Sequence, residues 1–158
     1  MYLHLQIDGE GEYAKVVMEG LSVTAKPEGF DVVVNSNEAK GLVSFSFDRL
    51  DVFSRFGTAT LRPIALDREA GTGEAEAVYL LGGYTIKLRR NDVSIHQERA
   101  VWLIINNNKG RQVALLSLQS GERRPVEVGI EGKKEMLRFL SRLMTTVKQL
   151  YNGKGGAV

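Results

Sequence analysis

The sequence predicts an α+β protein made of two tandem strand-strand-strand-strand-helix repeats, with antiparallel sheets and helices packed on one side. Three observations predict it. Apolar residues alternate with polar ones through most of the chain, the two-residue period of half-buried strands. LVSFSFDRLDVFSRF, residues 42–56, and PVEVGIEGKKEMLRF, residues 125–139, each read as a strand running into a helix. Slid onto each other by 83 residues, they keep their apolar phase: Val43 falls on Val126, Phe45 on Val128, Phe53 on Met136 and Phe56 on Phe139. Upstream, the same shift brings Leu3 and Leu5 onto Ile86 and Leu88, and Lys26 onto Lys109, without a gap. A matching order of elements at constant shift is what an internal duplication leaves behind.

The first repeat occupies residues 1–66. Its strands are YLHLQID, AKVVMEGLSVTA, FDVVVNS and GLVSFSF, rich in β-branched and aromatic residues, and KPEG makes a turn with Gly29 free to take positive φ. The helix DRLDVFSRF follows, with Asp48 as N-cap and Leu50, Phe53 and Phe56 on one face. Residues 67–83, beginning DREAGTGEAEA, are a polar linker leading into the second repeat. That repeat, residues 84–151, has strands YTIKLRR, SIHQERAVWLIINN, RQVALLSLQ and PVEVGI, the turn NNKG, and a helix from about Lys133 to Tyr151. Asn152-Gly153 ends the helix, and residues 152–158 form a flexible tail.

Composition narrows the chemistry. With 158 residues, 43% of them hydrophobic and 25% charged, the chain is long enough to bury a core unaided. It has no cysteine, which removes disulfides, thiolate metal sites and a cysteine nucleophile. No apolar run approaches the ~18 residues of a membrane span, and MYLHLQIDGEGEYAK is no secretory leader. The expectation is a soluble protein of the cytoplasm or another reducing intracellular compartment, without a membrane partner. Only two histidines exist, His4 and His96, and no metalloprotease, nucleophile-elbow or phosphate-loop motif is present. The reading is therefore non-enzymatic, with no cofactor and no metal.

Charge points to a binding role. Residues 1–83 carry 7 Lys and Arg against 13 Asp and Glu, whereas residues 84–151 carry 13 against 6. The second half is the one suited to anions. If Ile86 and Leu88 face a core, Lys87 and Arg89 stand on the opposite, wet face, with Arg90 continuing the run. The next strand adds His96, Arg99 and Trp102, and the following turn adds Lys109 and Arg111. Cations neutralise phosphates and an aromatic ring stacks on unpaired bases, so this grouping suits single-stranded DNA or RNA. Trp102, inside AVWLII, taken alone fits a core position somewhat better than a binding surface. Tyr2, His4, Tyr13 and Lys15 give the first half a less cationic version of the same surface.

This organisation resembles the Whirly and Pur-alpha folds, the kinetoplastid guide-RNA-binding proteins and the positive-cofactor-four coactivators. The resemblance spans Tyr2 to Tyr151 and rests on architecture: the Lys-Gly-Lys-Ala-Ala-Leu sequence of plant Whirly proteins is absent. It implies sheets presented to single-stranded DNA or RNA. A reading from another class is a protein-interaction or assembly module, a pleckstrin-homology-like β-sandwich with a C-terminal helix. On the last helix, Met136, Leu140, Leu143, Val147 and Leu150 form one apolar stripe, and Leu137, Met144 and Tyr151 a second. The second stripe predicts a homodimer or larger assembly through this helix.

Overall fold

The computed structural model describes the backbone at residues 3–8, 14–26, 28–37, 39–68, 74–93, 98–119 and 130–156, and the side chains at 17–26, 28–37, 39–68, 74–90, 101–116 and 133–147. Within them the chain forms β1 (Leu3–Asp8), β2 (Ala14–Met18), β3 (Leu21–Lys26), β4 (Gly29–Asn35), β5 (Lys40–Ser46), β6 (Leu50–Ser54), β7 (Gly57–Leu61), β8 (Ala65–Arg68), β9 (Ala75–Leu81), β10 (Tyr84–Val93), β11 (Glu98–Asn106), β12 (Gln112–Gln119) and α1 (Ile130–Gly156). β2 through β7 form one six-stranded antiparallel meander. β8 through β12 form a second meander, and β1 completes that sheet by pairing in parallel with β12, from Leu3 opposite Ala114 to Asp8 opposite Gln119. The α+β class and the antiparallel sheets are as the sequence predicts.

The two sheets lie face to face, β4 against β11 and β3 against β12. Strict alternation produces this. Leu21, Val23 and Ala25 of β3, Phe30, Val32 and Val34 of β4, and Val43 and Phe45 of β5 are all buried. Across from them Ala77 and Tyr79, Ile86 and Leu88, and Leu103 and Ile105 are buried from the other sheet. The helix α1 lies against β1 and β12 of one sheet and β6 and β7 of the other. Its Met136, Phe139, Leu140, Leu143, Met144 and Val147, spaced as one helical face, join the same core. Phe139 meets Tyr84 edge-on, with ring centroids 4.9 Å apart.

Two glycines let the meander and the helix come this close. A Cβ on Gly41 would stand 2.1 Å from the Phe53 carbonyl oxygen and 2.8 Å from Met144 Cε, and one on Gly29 would stand 1.9 Å from the Phe45 oxygen. Both residues sit in strands where another backbone or the helix needs the space.

Several expectations are overturned. DRLDVFSRF is no helix: Leu50 to Ser54 is β6, Arg55 and Phe56 form a turn, and β7 follows from Gly57. The i, i+3, i+6 spacing of Leu50, Phe53 and Phe56 looked helical, yet Leu50 and Val52 are both fully buried, the period of a strand. Asp48 caps no helix either. It accepts from the Ser46 hydroxyl within the turn between β5 and β6. The two halves therefore differ in element type and order, and the tandem β4α repeat is not the architecture found. The supposed linker, residues 67–83, holds the end of β8 and all of β9, paired as Asp67 opposite Glu76. The helix begins at Ile130 and continues to Gly156, past Asn152-Gly153. Met144, assigned to the assembly stripe, is buried inside its own chain, and Leu137 packs against the same core, so these two residues call for no second chain. The strand expected at PVEVGI falls, up to residue 129, outside the described residues.

One polar contact ties the sheets together at the β5–β6 turn. The Tyr79 hydroxyl of β9 donates to the Ser46 carbonyl of β5 at 2.6 Å. Burial first, then the Asp48 and Asp51 carboxylates, push this phenol well above the ordinary tyrosine range. Its folded-state value exceeds its unfolded one, so its contribution is complete below the unfolded tyrosine value of about 10 and falls as pH rises above it. Tyr79→Phe is expected to cost about 1 kcal/mol at pH 7 through the lost hydrogen bond. It is also expected to flatten the decline of stability above pH ~10 relative to wild type, measured by urea unfolding across alkaline pH.

Candidate nucleic-acid interface

The outer face of the sheet containing β8–β12 and β1 is set by the same alternation that builds the core. With Ile86 and Leu88 of β10 fully buried, Lys87 and Arg89 turn outward, half-buried and exposed respectively. With Val101, Leu103 and Ile105 of β11 buried, Trp102 and Ile104 also turn outward. Trp102 is half-buried on this face and is not part of the core.

Register brings these residues into two adjacent cross-strand rows. In one, Glu76 of β9, Arg89 of β10 and Trp102 of β11 are direct neighbours, and Ser117 of β12 occupies the next position. In the other, Val78, Lys87, Ile104 and Leu115 stand side by side, and the β1 backbone adds the His4 position opposite Leu115. Glu76 lies beside both cations, its Oε1 3.9 Å from Lys87 Nζ. Arg89 makes no ion pair among the described residues, and stands exposed beside the Trp102 ring position.

The β11–β12 turn continues this surface at one end. The Asn107 side chain accepts from the backbone N–H groups of Lys109 and Arg111 at 3.0 and 2.9 Å, an Asx-type turn, and Gly110 takes φ +75°. Lys109 and Arg111 are thereby held exposed on an ordered tip. Gly83 of the neighbouring β9–β10 turn leaves room for Asn108: a Cβ there would stand 3.3 Å from Asn108 Cβ.

Other predicted residues are distributed differently. Arg90 belongs to the inward phase of β10, and its guanidinium lies 5.2 Å from the centroid of the buried Phe47 ring at an end of the core. It does not join Lys87 and Arg89 on the outer face. Arg99 pairs with Asp92 and shares the strand phase of Val101, not that of Trp102. Lys15 pairs with Thr24 in the other sheet, so it lies apart from the Lys87 surface, whereas His4 falls on the Lys87 row. Tyr2, Tyr13 and His96 lie outside the described residues.

The other sheet presents a different outer face. Register aligns Val17, Ser22, Val33, Leu42, Phe53 and Thr58 in one row, in which Val17 is 71% and Phe53 43% exposed. The next row holds Thr24, Asp31, Ser44, Asp51 and Thr60. There the Ser44 and Thr60 hydroxyls each donate to an aspartate at 2.7 Å, and Lys26 and Arg49 pair with Asp31 and Asp51. This face carries paired carboxylates, and the opposite one carries Lys87 and Arg89.

Sequence reasoning missed Glu76, which sat in the supposed linker, and the apolar company of Trp102. Counting alternation back from Leu103 would have placed the tryptophan outward. Among the described residues no group of three or more His, Asp or Glu side chains is positioned to hold a metal ion, and no helix is long and apolar enough to cross a membrane. Comparison with known proteins finds no matching family model, no matching curated protein and no matching solved structure.

Because Trp102 stands on the outer face, Trp102→Ala is expected to cost less stability than Leu103→Ala, its fully buried neighbour. The leucine truncation should cost about 2–5 kcal/mol, and urea denaturation of the two variants makes the comparison.

Proposed function

We propose that the protein binds single-stranded DNA or RNA through the outer face formed by β9, β10 and β11, with the β11–β12 turn at its end. The observation that carries this reading is the direct cross-strand pairing of outward Trp102 with exposed Arg89. A ring on an open sheet gives an unpaired base a stacking surface worth about 1–3 kcal/mol. A guanidinium beside it supplies the backbone contact, and Lys87, Lys109 and Arg111 extend the positive track along and beyond the strand. A duplex offers no unstacked base to Trp102, which makes single strands the favoured ligand.

A second reading, a protein-interaction or assembly module, is favoured by the apolar row Val17, Val33, Leu42 and Phe53 on the other sheet. The β-sandwich with a C-terminal helix is also the architecture expected for that alternative. The two readings use opposite faces, so one protein can be tested for both.

Fluorescence anisotropy with labelled single-stranded and duplex oligonucleotides over a salt series tests the first. Wild type is expected to prefer single strands, with log affinity falling linearly in log salt. Combined Lys87→Ala, Arg89→Ala and Lys109→Ala should weaken binding and reduce the slope by up to about 2, at ~0.7 for each phosphate no longer neutralised. Unchanged affinity in a folded triple variant contradicts the assignment, and absence of binding by wild type leaves the interaction-module reading in its place.

A further inference from the structure

The proposed interface leaves unused a cavity of about 210 Å³ where the β4–β5 and β6–β7 turns meet α1. Ala39 and Met144, both buried, contribute apolar wall, and Phe56 is half-buried beside them. Ser36, Asn37, Ser141 and Thr145 supply polar groups. Two cations, Lys40 and Arg55, are exposed at the rim, and neither has a carboxylate partner among the described residues.

The geometry points to a binding site for a small sugar phosphate or similar phosphorylated polyol. This inference is independent of the nucleic-acid reading, because the residues belong to other elements. Two cations lining one cavity, neither ion-paired among the described residues, match a dianion better than a monoanionic carboxylate. Arg55 is ordered in advance of any ligand. Its guanidinium carbon lies 4.8 Å from the centroid of the Phe56 ring, and stacking leaves its edge N–H groups available for phosphate oxygens. The polyol part is matched by the remaining lining. Thr145 donates its hydroxyl proton to the Ser141 carbonyl at 3.0 Å, which leaves the Thr145 oxygen as an acceptor for a ligand hydroxyl. Asn37 adds an amide that both donates and accepts. The volume lies below the ~300–1,000 Å³ of pockets for drug-sized ligands, so the ligand is limited to roughly a phosphate and one small ring or chain.

The loops hold these groups in place. Ser36 N–H donates to the Ala39 carbonyl at 2.9 Å and the Ala39 N–H donates to the Ser36 hydroxyl oxygen at 3.2 Å, closing the β4–β5 turn. The Phe56 N–H donates to the Ser54 hydroxyl oxygen at 3.1 Å, fixing the β6–β7 turn that carries Arg55. On the third side Met144 is pinned against Gly41, whose missing side chain is the space the methionine occupies.

Heteronuclear NMR titration of the full chain with ribose 5-phosphate, ribose and inorganic phosphate tests the inference. Ribose 5-phosphate is expected to shift the amide resonances of residues 36–41, 55–57 and 141–145 in a saturable manner. It should bind at least tenfold more tightly than either ribose or phosphate alone. Lys40→Ala and Arg55→Ala, both at exposed positions, should each weaken binding at least fivefold while the rest of the spectrum stays in place. No saturable shift at these residues, equal affinity for ribose or for phosphate alone, or full affinity in either variant would overturn the assignment.

Discussion

Both sheets close on the apolar face of α1. A two-sheet sandwich leaves an open side where inner-face side chains would meet water, and here the helix fills it, lying against β1 and β12 on one sheet and β6 and β7 on the other. Six of its side chains, from Met136 to Val147, are buried in the shared core. At ~1.5–3 kcal/mol each their burial contributes on the order of 10 kcal/mol before conformational entropy is counted. That is comparable with the whole net stability of about 5–15 kcal/mol for a domain, so neither sheet is expected to persist without the helix. The parallel pairing of β1 with β12 adds a second constraint. The first strand of the chain completes the sheet made from its last strands, so the second half of the sequence alone does not contain that sheet in full.

That topology explains what could and could not be read from the residues. Strand existence was legible because alternation is local: YTIKLRR and FDVVVNS became β10 and β4, and Ile86 and Leu88 of β10 face inward as expected. The error at DRLDVFSRF was also local. Leu50, Phe53 and Phe56 satisfy a helical stripe, Leu50 and Val52 satisfy a strand, and a nine-residue segment is too short for either period to dominate. Gly57 followed by alternating TATL was the signal for a hairpin. The apparent duplication arose because alternating strands align with one another at any offset that matches their phase. Sheet membership was not legible at all, since the partners of β1 are more than a hundred residues away and pairing over that distance leaves no local mark.

The candidate interface shows the same division. Lys87 and Arg89 were placed on a wet face from the phase of Ile86 and Leu88, and that placement needed only two-residue periodicity. Their neighbours needed register. Glu76 tempers the cations from β9, Trp102 joins them from β11, and Arg90 leaves them by facing Phe47. Lys40, Arg55, Ser141 and Thr145 lie on three separate segments, and only the packing of α1 against the two turns gathers them around one cavity.

The charge asymmetry of the sequence becomes a difference between two faces. The β2–β7 sheet comes wholly from the acidic half and ties its outer aspartates into hydroxyl and cation contacts, whereas Arg89 stands without an ion pair among the described residues beside an outward ring. Trp102 is the chain's one tryptophan, so its fluorescence reports this face alone. Titration with a single-stranded oligonucleotide at low salt is the most direct test of the account. Saturable quenching that is lost in Arg89→Ala and Lys87→Ala at moderate salt is the predicted result. Tryptophan emission that stays unchanged while the oligonucleotide binds would contradict it, because the ligand would then occupy another surface.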